Sequence, residues 1–141
     1  MEQRLSLITL GVDDIARSRR FYERLGWTAS EIGGDEVTFF QLGGIILSLW
    51  SRASLAADMG VKDEARGFGG FAIAHNVRAK DDVDAMLRQT EAAGARILKR
   101  GVATDWGGYI GYFADPDGHG WEIAWNPAFP IAPDGSIRLP R

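Results

Sequence analysis

The sequence predicts an α+β protein built from two tandem βαβββ modules, and two observations lead to that prediction. The first is that a strand pattern, an amphipathic helix pattern and three further strand patterns occur twice, roughly 65–75 residues apart. The second is that glycine follows both helix patterns, where a left-handed residue commonly ends a helix. Two copies at this spacing are too long and too few for a solenoid, so we expect one domain with an internal repeat.

The first module is predicted at residues 5–51 and begins with the branched apolar stretch LSLITLGV. Asp13 or Asp14 offers a side-chain oxygen that can cap the helix after this strand. Gly33-Gly34-Asp35 and Gly43-Gly44 are favourable loops between the later strands. The predicted elements are strands at 5–12, 27–31, 36–42 and 45–51 and a helix at 15–25.

The second module is predicted at residues 71–127, after a connector at 52–70 with a short helix near 55–59. Its predicted elements are strands at 71–77, 95–99, 109–114 and 121–125 and a helix at 81–93. The Pro-rich segment 128–141 is expected to form an extended arm that packs on a surface or a partner. We expect all of these parts to form a single domain covering residues 1–141.

The most informative stretch is YFADPDGHGWEIAWNP, in which Asp115-Pro116-Asp117-Gly118 predicts a tight turn between two strands. After the turn, Trp121 and Glu122 are neighbours on a strand, so their side chains occupy opposite faces. Glu122 therefore either faces solvent or points into a cavity beside the small residue Ala124.

Composition excludes several classes of protein. The chain is 45% hydrophobic and 25% charged with a net charge of −3, as expected of a globular protein without a nucleic-acid partner. It contains no cysteine, which excludes disulfides, thiolate zinc sites and cysteine nucleophiles. No apolar run reaches membrane-spanning length, so we expect no membrane partner and a cytoplasmic location.

The opening LITLGVDDIARSRRFYERLGW and the closing GYFADPDGHGWEIAWNP resemble the glyoxalase / bleomycin-resistance / extradiol-dioxygenase family, also called the vicinal oxygen chelate superfamily. The resemblance covers residues 5–127. It implies that the modules form a curled, mixed eight-stranded sheet, as two half-barrels that enclose a pocket. It also implies a small-molecule ligand and a homodimer.

Enzymes of this family hold a divalent metal with four side chains, and the matching positions are Leu7, Leu47, Phe71 and Glu122. Leucine and phenylalanine have no donor atom, and one carboxylate is too few for a catalytic metal that needs about three protein ligands. We therefore expect a pocket without a metal or another cofactor. A weak divalent site made by Glu122, His75 and waters is the remaining alternative.

The functional interpretation of Glu122 is a general acid or base inside the pocket. The predicted pocket lining is Leu7, Thr9, Leu47, Leu49 and Phe71. His75 shares a strand face with Phe71 and is the expected partner of Glu122, so that the pair exchanges protons near neutral pH. Alternatively, His75 is a core histidine bonded to a backbone carbonyl.

A glycine pair marks a second candidate region. Trp106 and Tyr109 flank Gly107-Gly108 and either wall a flat apolar ligand or pack within an ordinary hairpin. His119 directly follows the DPDG turn and is expected to be solvated.

Three functions remain open from the sequence. The first is a protein that sequesters a small apolar or aromatic molecule, in the manner of bleomycin-resistance proteins. The second is an enzyme of the same superfamily: a lyase or isomerase that uses Glu122 and His75 for proton transfer, or a metal-dependent glyoxalase or dioxygenase. The third is a dimeric interaction module without a ligand.

Overall fold

The computed structural model describes residues 1–64 and 67–139 and divides the chain into two compact units, Met1–Gly69 and Gly70–Arg141. Four residues of the predicted connector and arm lie outside the described residues: Ala65, Arg66, Pro140 and Arg141. Within the described ranges, no helix combines the length and the apolar character needed to span a bilayer.

Each unit contains a mixed sheet and at least one helix, which confirms the α+β class and the tandem repeat. The elements of the first unit are β1 (Leu7–Val12), α1 (Ile15–Arg24), β2 (Val37–Leu42), β3 (Ile45–Ser51) and α2 (Arg52–Met59). The elements of the second unit are β4 (Ile73–Asn76), α3 (Asp81–Ala93), β5 (Arg96–Ala103), β6 (Tyr109–Ala114) and β7 (Gly120–Trp125).

The two sheets share one topology. The first sheet has the order β1-β3-β2, in which β1 is parallel to β3 and β2 is antiparallel to it. The second sheet has the order β4-β7-β6-β5, in which β4 is parallel to β7 and the other pairs are antiparallel. In both sheets, the last strand of the repeat (β3 or β7) therefore lies between the first strand (β1 or β4) and the strand that precedes it in the chain (β2 or β6).

The prediction of a strand at residues 27–31 is wrong. Ala29 forms an isolated bridge with Phe40 instead of a ladder. Trp27 stacks on the ring of Tyr22, with centroids 5.1 Å apart and an interplanar angle of 14°. This stacking draws the start of the segment to the helix, so the described residues form seven strands rather than eight.

The first core lies between α1 and one face of its sheet. The Asp14 carboxylate accepts a hydrogen bond from the backbone N–H of Arg17 at 2.9 Å, which confirms the predicted cap. Gly26, with φ of 95°, allows the chain to leave the helix in a left-handed conformation. Between these ends, Tyr22 is fully buried and its ring lies 5.8 Å from that of Phe40 on β2.

The second core lies between α3 and one face of the four-stranded sheet. Val83 and Leu87 are the buried apolar residues in the middle of the helix. On the sheet, the rings of Phe113 and Trp121 stack with centroids 6.1 Å apart. A Cβ atom on Gly111 would lie 2.5 Å from Cδ1 of Leu87, so the missing side chain lets α3 approach β6 closely.

The segment after residue 128 packs on the second unit. The Arg78 guanidinium donates hydrogen bonds of 2.8 Å to the carbonyl oxygens of Ile131 and Ala132. Ile131 also forms an antiparallel bridge with Ile137. The predicted extended arm therefore includes a small hairpin that Arg78 holds in place.

Candidate functional site

Strand β7 directs its side chains alternately toward α3 and away from it. Trp121 and Ile123 are buried in the core under α3, so Glu122 lies on the opposite side. We call the side of each sheet that faces away from α1 or α3 its distal face. In the second sheet, β4, β6 and β7 contribute to the distal face Ala74, Asn76, Ile110, Tyr112, Ala114, Glu122 and Ala124.

Glu122 is half-buried and is paired in register with Tyr112 on β6 and with Ala74 on β4. The Tyr112 hydroxyl donates a hydrogen bond to Oε2 of Glu122. This bond, together with desolvation and the nearby negative charge, raises the pKa of Tyr112 to about 12. Glu122 makes no other hydrogen bond within the described residues, so its Oε1 atom can accept from a bound molecule.

Tyr112 was not among the predicted site residues, although the turn contained the signal that could have found it. Ala114 and Gly120 pair on either side of the DPDG turn. Counting two residues outward along both antiparallel strands brings Tyr112 opposite Glu122. Alternation along β7 assigns Glu122 to a face, whereas its partner across the hairpin follows only from the register.

The predicted pairing of His75 with Glu122 is wrong. In the parallel ladder between β4 and β7, Ala74 pairs with Glu122 and His75 pairs with Ile123. Side chains of paired residues share a face, so His75 points to the α3 side of the sheet and away from Glu122. His75 lies on the edge strand β4 and is exposed to solvent as a whole residue. The protein atoms around its imidazole nevertheless displace part of the water, and this desolvation lowers the pKa of His75.

The assignment of Leu47 and Leu49 to a ligand pocket also requires correction. Both leucines are almost fully buried, with exposures of 1% and 0%. Leu47 pairs with Phe40, whose ring contacts Tyr22 of α1. Both residues therefore belong to the core under α1.

The other two residues predicted to line the pocket in the first unit, Leu7 and Thr9, lie on the distal face. Leu7 and Thr9 alternate with the core residues of β1, and Thr9 pairs with Ser48 on β3. Ser48, the residue after Leu47 on β3, therefore lies on the distal face, where Leu47 was predicted to lie. In the second unit, Phe71 precedes β4 and is 51% exposed.

Trp106 and Tyr109 do not face a common ligand space. The Tyr109 hydroxyl donates to Oδ2 of Asp84 at 3.0 Å, and this bond raises the pKa of Tyr109. Tyr109 therefore packs toward α3. Trp106 is 52% exposed and lies over Gly108, where a Cβ atom would clash with its indole.

His119 is half-buried rather than solvated. Its Nδ1 atom lies 3.0 Å from Oδ2 of Asp115, a buried carboxylate. Asp115 also accepts hydrogen bonds from the backbone N–H groups of Asp117 and His119, at 3.0 and 2.9 Å. Asp115 therefore holds the DPDG turn together, as the sequence predicted, and His119 is part of that structure.

The family's metal positions do not fit a divalent ion in this chain. Leu7, Leu47 and Phe71 offer no donor atom, and Leu47 points into a helix core. The fourth residue, Glu122, is bonded to Tyr112, while His75 lies on the other face of the sheet. In the part of the chain that is described, no three His, Cys, Asp or Glu side chains are grouped to hold a metal.

Comparison with known proteins places this geometry in a family. Residues 4–123 match the model of the Glyoxalase/Bleomycin resistance protein/Dioxygenase superfamily. A curated relative, metallothiol transferase FosB of Shouchella clausii (strain KSM-K16), is 29% identical over 119 residues, which cover 82% of this chain and 75% of that protein.

Solved structures agree with this match. A glyoxalase-related enzyme from Fulvimarina pelagi is 42% identical with a TM-score of 0.90, over 99% of this chain and 100% of that one. A lactoylglutathione lyase from Agrobacterium tumefaciens shares the fold, with a TM-score of 0.66 at 22% identity over 89% of this chain and 96% of that one. The protein therefore belongs to the glyoxalase/bleomycin resistance protein/dioxygenase superfamily.

Proposed function

We propose that this protein binds a small, largely apolar or aromatic molecule on the distal face of its second sheet without using a metal. The observation that carries the proposal is the Glu122–Tyr112 hydrogen bond, which leaves Oε1 of Glu122 as an acceptor. A carboxylate among apolar residues needs a donor, and a ligand hydroxyl or amine can supply one. The pair thus serves as the polar anchor of an otherwise apolar site.

The residues around this anchor suit a flat apolar molecule. Ala74 and Ala124 lie next to Glu122 on the distal face, and both carry small apolar side chains. Ile110 and the ring of Tyr112 add apolar surface on β6. The donor set at the family's metal positions supports binding without a metal.

The test is a binding screen of small aromatic alcohols, amines and their methyl ethers by ligand-observed NMR. We expect Glu122→Gln and Tyr112→Phe to weaken the binding of hydroxyl-bearing compounds about tenfold, because each change removes a polar group of the anchor. Glu91→Gln, which alters an exposed carboxylate paired with Arg100, is the matched control and should leave binding unchanged. Equal binding to all four proteins would contradict the proposal.

An isomerase or lyase activity is the second candidate, and the same pair favours it. Oε1 of Glu122 can take a proton from a carbon next to a carbonyl group, while the Tyr112 hydroxyl holds the carboxylate in position. The proton then returns to a different carbon, or a leaving group departs. His75 has no direct part in this scheme because it lies on the other face. Glu122→Gln that retains binding but loses turnover would identify the enzyme.

We also propose that the protein forms a homodimer. Large apolar side chains are exposed in both units, including Ile32, Phe68 and Leu139 at 76%, 92% and 77%. Exposed apolar surface of this kind commonly marks a contact between proteins. Sedimentation velocity should give a mass near twice 15.4 kDa, and a monomer at micromolar concentration would refute this part.

A further inference from the structure

Strand β5 carries an irregularity that brings a lysine next to the Glu122–Tyr112 pair. Ile97 pairs with Phe113, and the next pair in the ladder is Lys99 with Tyr112. Regular alternation would have placed Leu98 opposite Tyr112, so Leu98 is the extra residue of a β-bulge. The bulge directs Lys99 to the distal face of the second sheet.

The result is a row of four paired residues across the whole sheet. From one edge to the other, the row consists of Ala74, Glu122, Tyr112 and Lys99. Two strand spacings separate Glu122 from Lys99, which is about 10 Å between their Cα atoms. An acceptor and a cation therefore lie on either side of an aromatic ring.

Lys99 is available to a ligand. The residue is exposed, and no ion pair or hydrogen bond of its ammonium group is found among residues 1–64 and 67–139. Its neighbour Arg100, in contrast, is paired with Glu91 of α3 at 3.3 Å. Of these two consecutive cations, the one on the distal face has no carboxylate partner in the described residues.

We propose that Lys99 binds the anionic group of the ligand, so that the molecule taken up on the distal face is a small organic acid. Its body is aromatic or apolar and packs near the ring of Tyr112, and a hydroxyl or amino group at its other end donates to Glu122. The proposal rests on the proposed function and deepens it, because it names the chemical class of the ligand. The spacing of about 10 Å between the two Cα atoms leaves room for one aromatic ring with polar groups at opposite ends.

The test compares acids with neutral molecules of the same shape. The probes are 4-hydroxybenzoate and 4-aminobenzoate with their amides, measured by ligand-observed NMR against the wild type, Lys99→Met and Arg100→Met. We expect the wild type to bind the acids about threefold to fivefold more tightly than the amides, which is the upper part of the range for an exposed ion pair. Lys99→Met should abolish this preference, whereas Arg100→Met should keep it although it removes the same charge.

The outcomes separate this inference from the proposed function. Amides that bind through Glu122, without any preference for acids, would overturn the role of Lys99 and leave the anchor intact. A preference that persists in Lys99→Met would do the same. A lysine on an edge strand also discourages pairing between chains, so self-association of Lys99→Met with unchanged ligand preference would assign it to that role instead. No binding of either class to the wild type would overturn both proposals.

Discussion

The two units follow one plan but carry different chemistry on their distal faces. In each sheet, an inner strand carries one polar residue that is paired with one residue on each of the two flanking strands. The two rows are Thr9–Ser48–Phe39 in the first sheet and Ala74–Glu122–Tyr112 in the second. A hydroxyl beside a phenylalanine has little acid–base chemistry, whereas a carboxylate beside a phenol has much. The repeat thus duplicates the scaffold and places ionisable chemistry in the second copy.

The helix sides of the two sheets are more alike than the distal faces. Paired residues under α1 and α3 occupy equivalent positions: Leu47–Phe40 and Leu49–Thr38 in the first unit, Trp121–Phe113 and Ile123–Gly111 in the second. Packing explains this likeness, because each helix requires an apolar surface in the same place. The distal faces lie outside that requirement and can differ.

The largest effect should come from truncating the core under α1. Leu47→Ala is expected to lower the free energy of unfolding by about 2–5 kcal/mol, because it leaves a cavity. Leu7→Ala, on the distal side and 41% exposed, should cost less than about 1 kcal/mol. Urea denaturation measures both. Similar losses for the two leucines would contradict the division into a packed face and a distal face.

A smaller loss of stability is expected at Gly111, which occupies the position in the second sheet that Thr38 occupies in the first. Gly111→Ala should destabilise by about 1–3 kcal/mol, because the new methyl group would lie 2.5 Å from Leu87 Cδ1 and 2.9 Å from the carbonyl oxygen of Lys99. Gly120→Ala meets open space and is the control. The same denaturation curves apply, and a neutral Gly111→Ala would show that α3 can retreat from the sheet.

The helix N-termini offer the next comparison. Asp14 caps α1, whereas Lys80 at the N-cap of α3 makes no side-chain capping bond. Asp14→Ala should therefore cost about 1 kcal/mol, while Asp14→Asn keeps an acceptor oxygen and should be close to neutral. Thermal unfolding followed by circular dichroism reports the difference. An Asp14→Asn variant as unstable as Asp14→Ala would assign the effect to charge rather than to capping.

The polar pair itself has an effect on stability that is confined to high pH. The pKa of Tyr112 is raised to about 12 by Glu122, so the folded state holds this proton more tightly than the unfolded state. Its contribution to stability is therefore complete below about pH 10 and is lost as the pH rises through about 12. Glu122→Gln should return the pKa toward its ordinary value. Absorbance titration at high pH measures it, with Tyr112→Phe identifying the signal of this phenol.

Local patterns were sufficient for most of the secondary structure. The predicted bounds of β3, α3 and β6 match the observed bounds, because their apolar periodicity and flanking glycines are strong local signals. The strand at residues 27–31 failed because the stacking of Trp27 on Tyr22 overrides its local strand propensity.

The candidate site was only partly predictable, because faces depend on register. Alternation within β7 correctly separated Glu122 from Trp121. Alternation within β4 could not show which face His75 shares, since that requires the register between two strands far apart in the sequence. A shift of one residue likewise decides whether Leu47 or Ser48 of β3 lies on the distal face. The bulge that re-aims Lys99 leaves no local signal in the sequence.

The sequence by itself determined the repeat, helices α1 and α3 with the Asp14 cap and the glycines that end them, the DPDG turn and the presence of one carboxylate on a strand of large apolar residues. These features depend on propensities and contacts within a few residues of each other. The tertiary structure alone decided which side chains meet: Tyr112 rather than His75 beside Glu122, and Lys99 in the same row. The physical reason is that a strand's side chains alternate with a period of two, so one residue of register exchanges the faces completely.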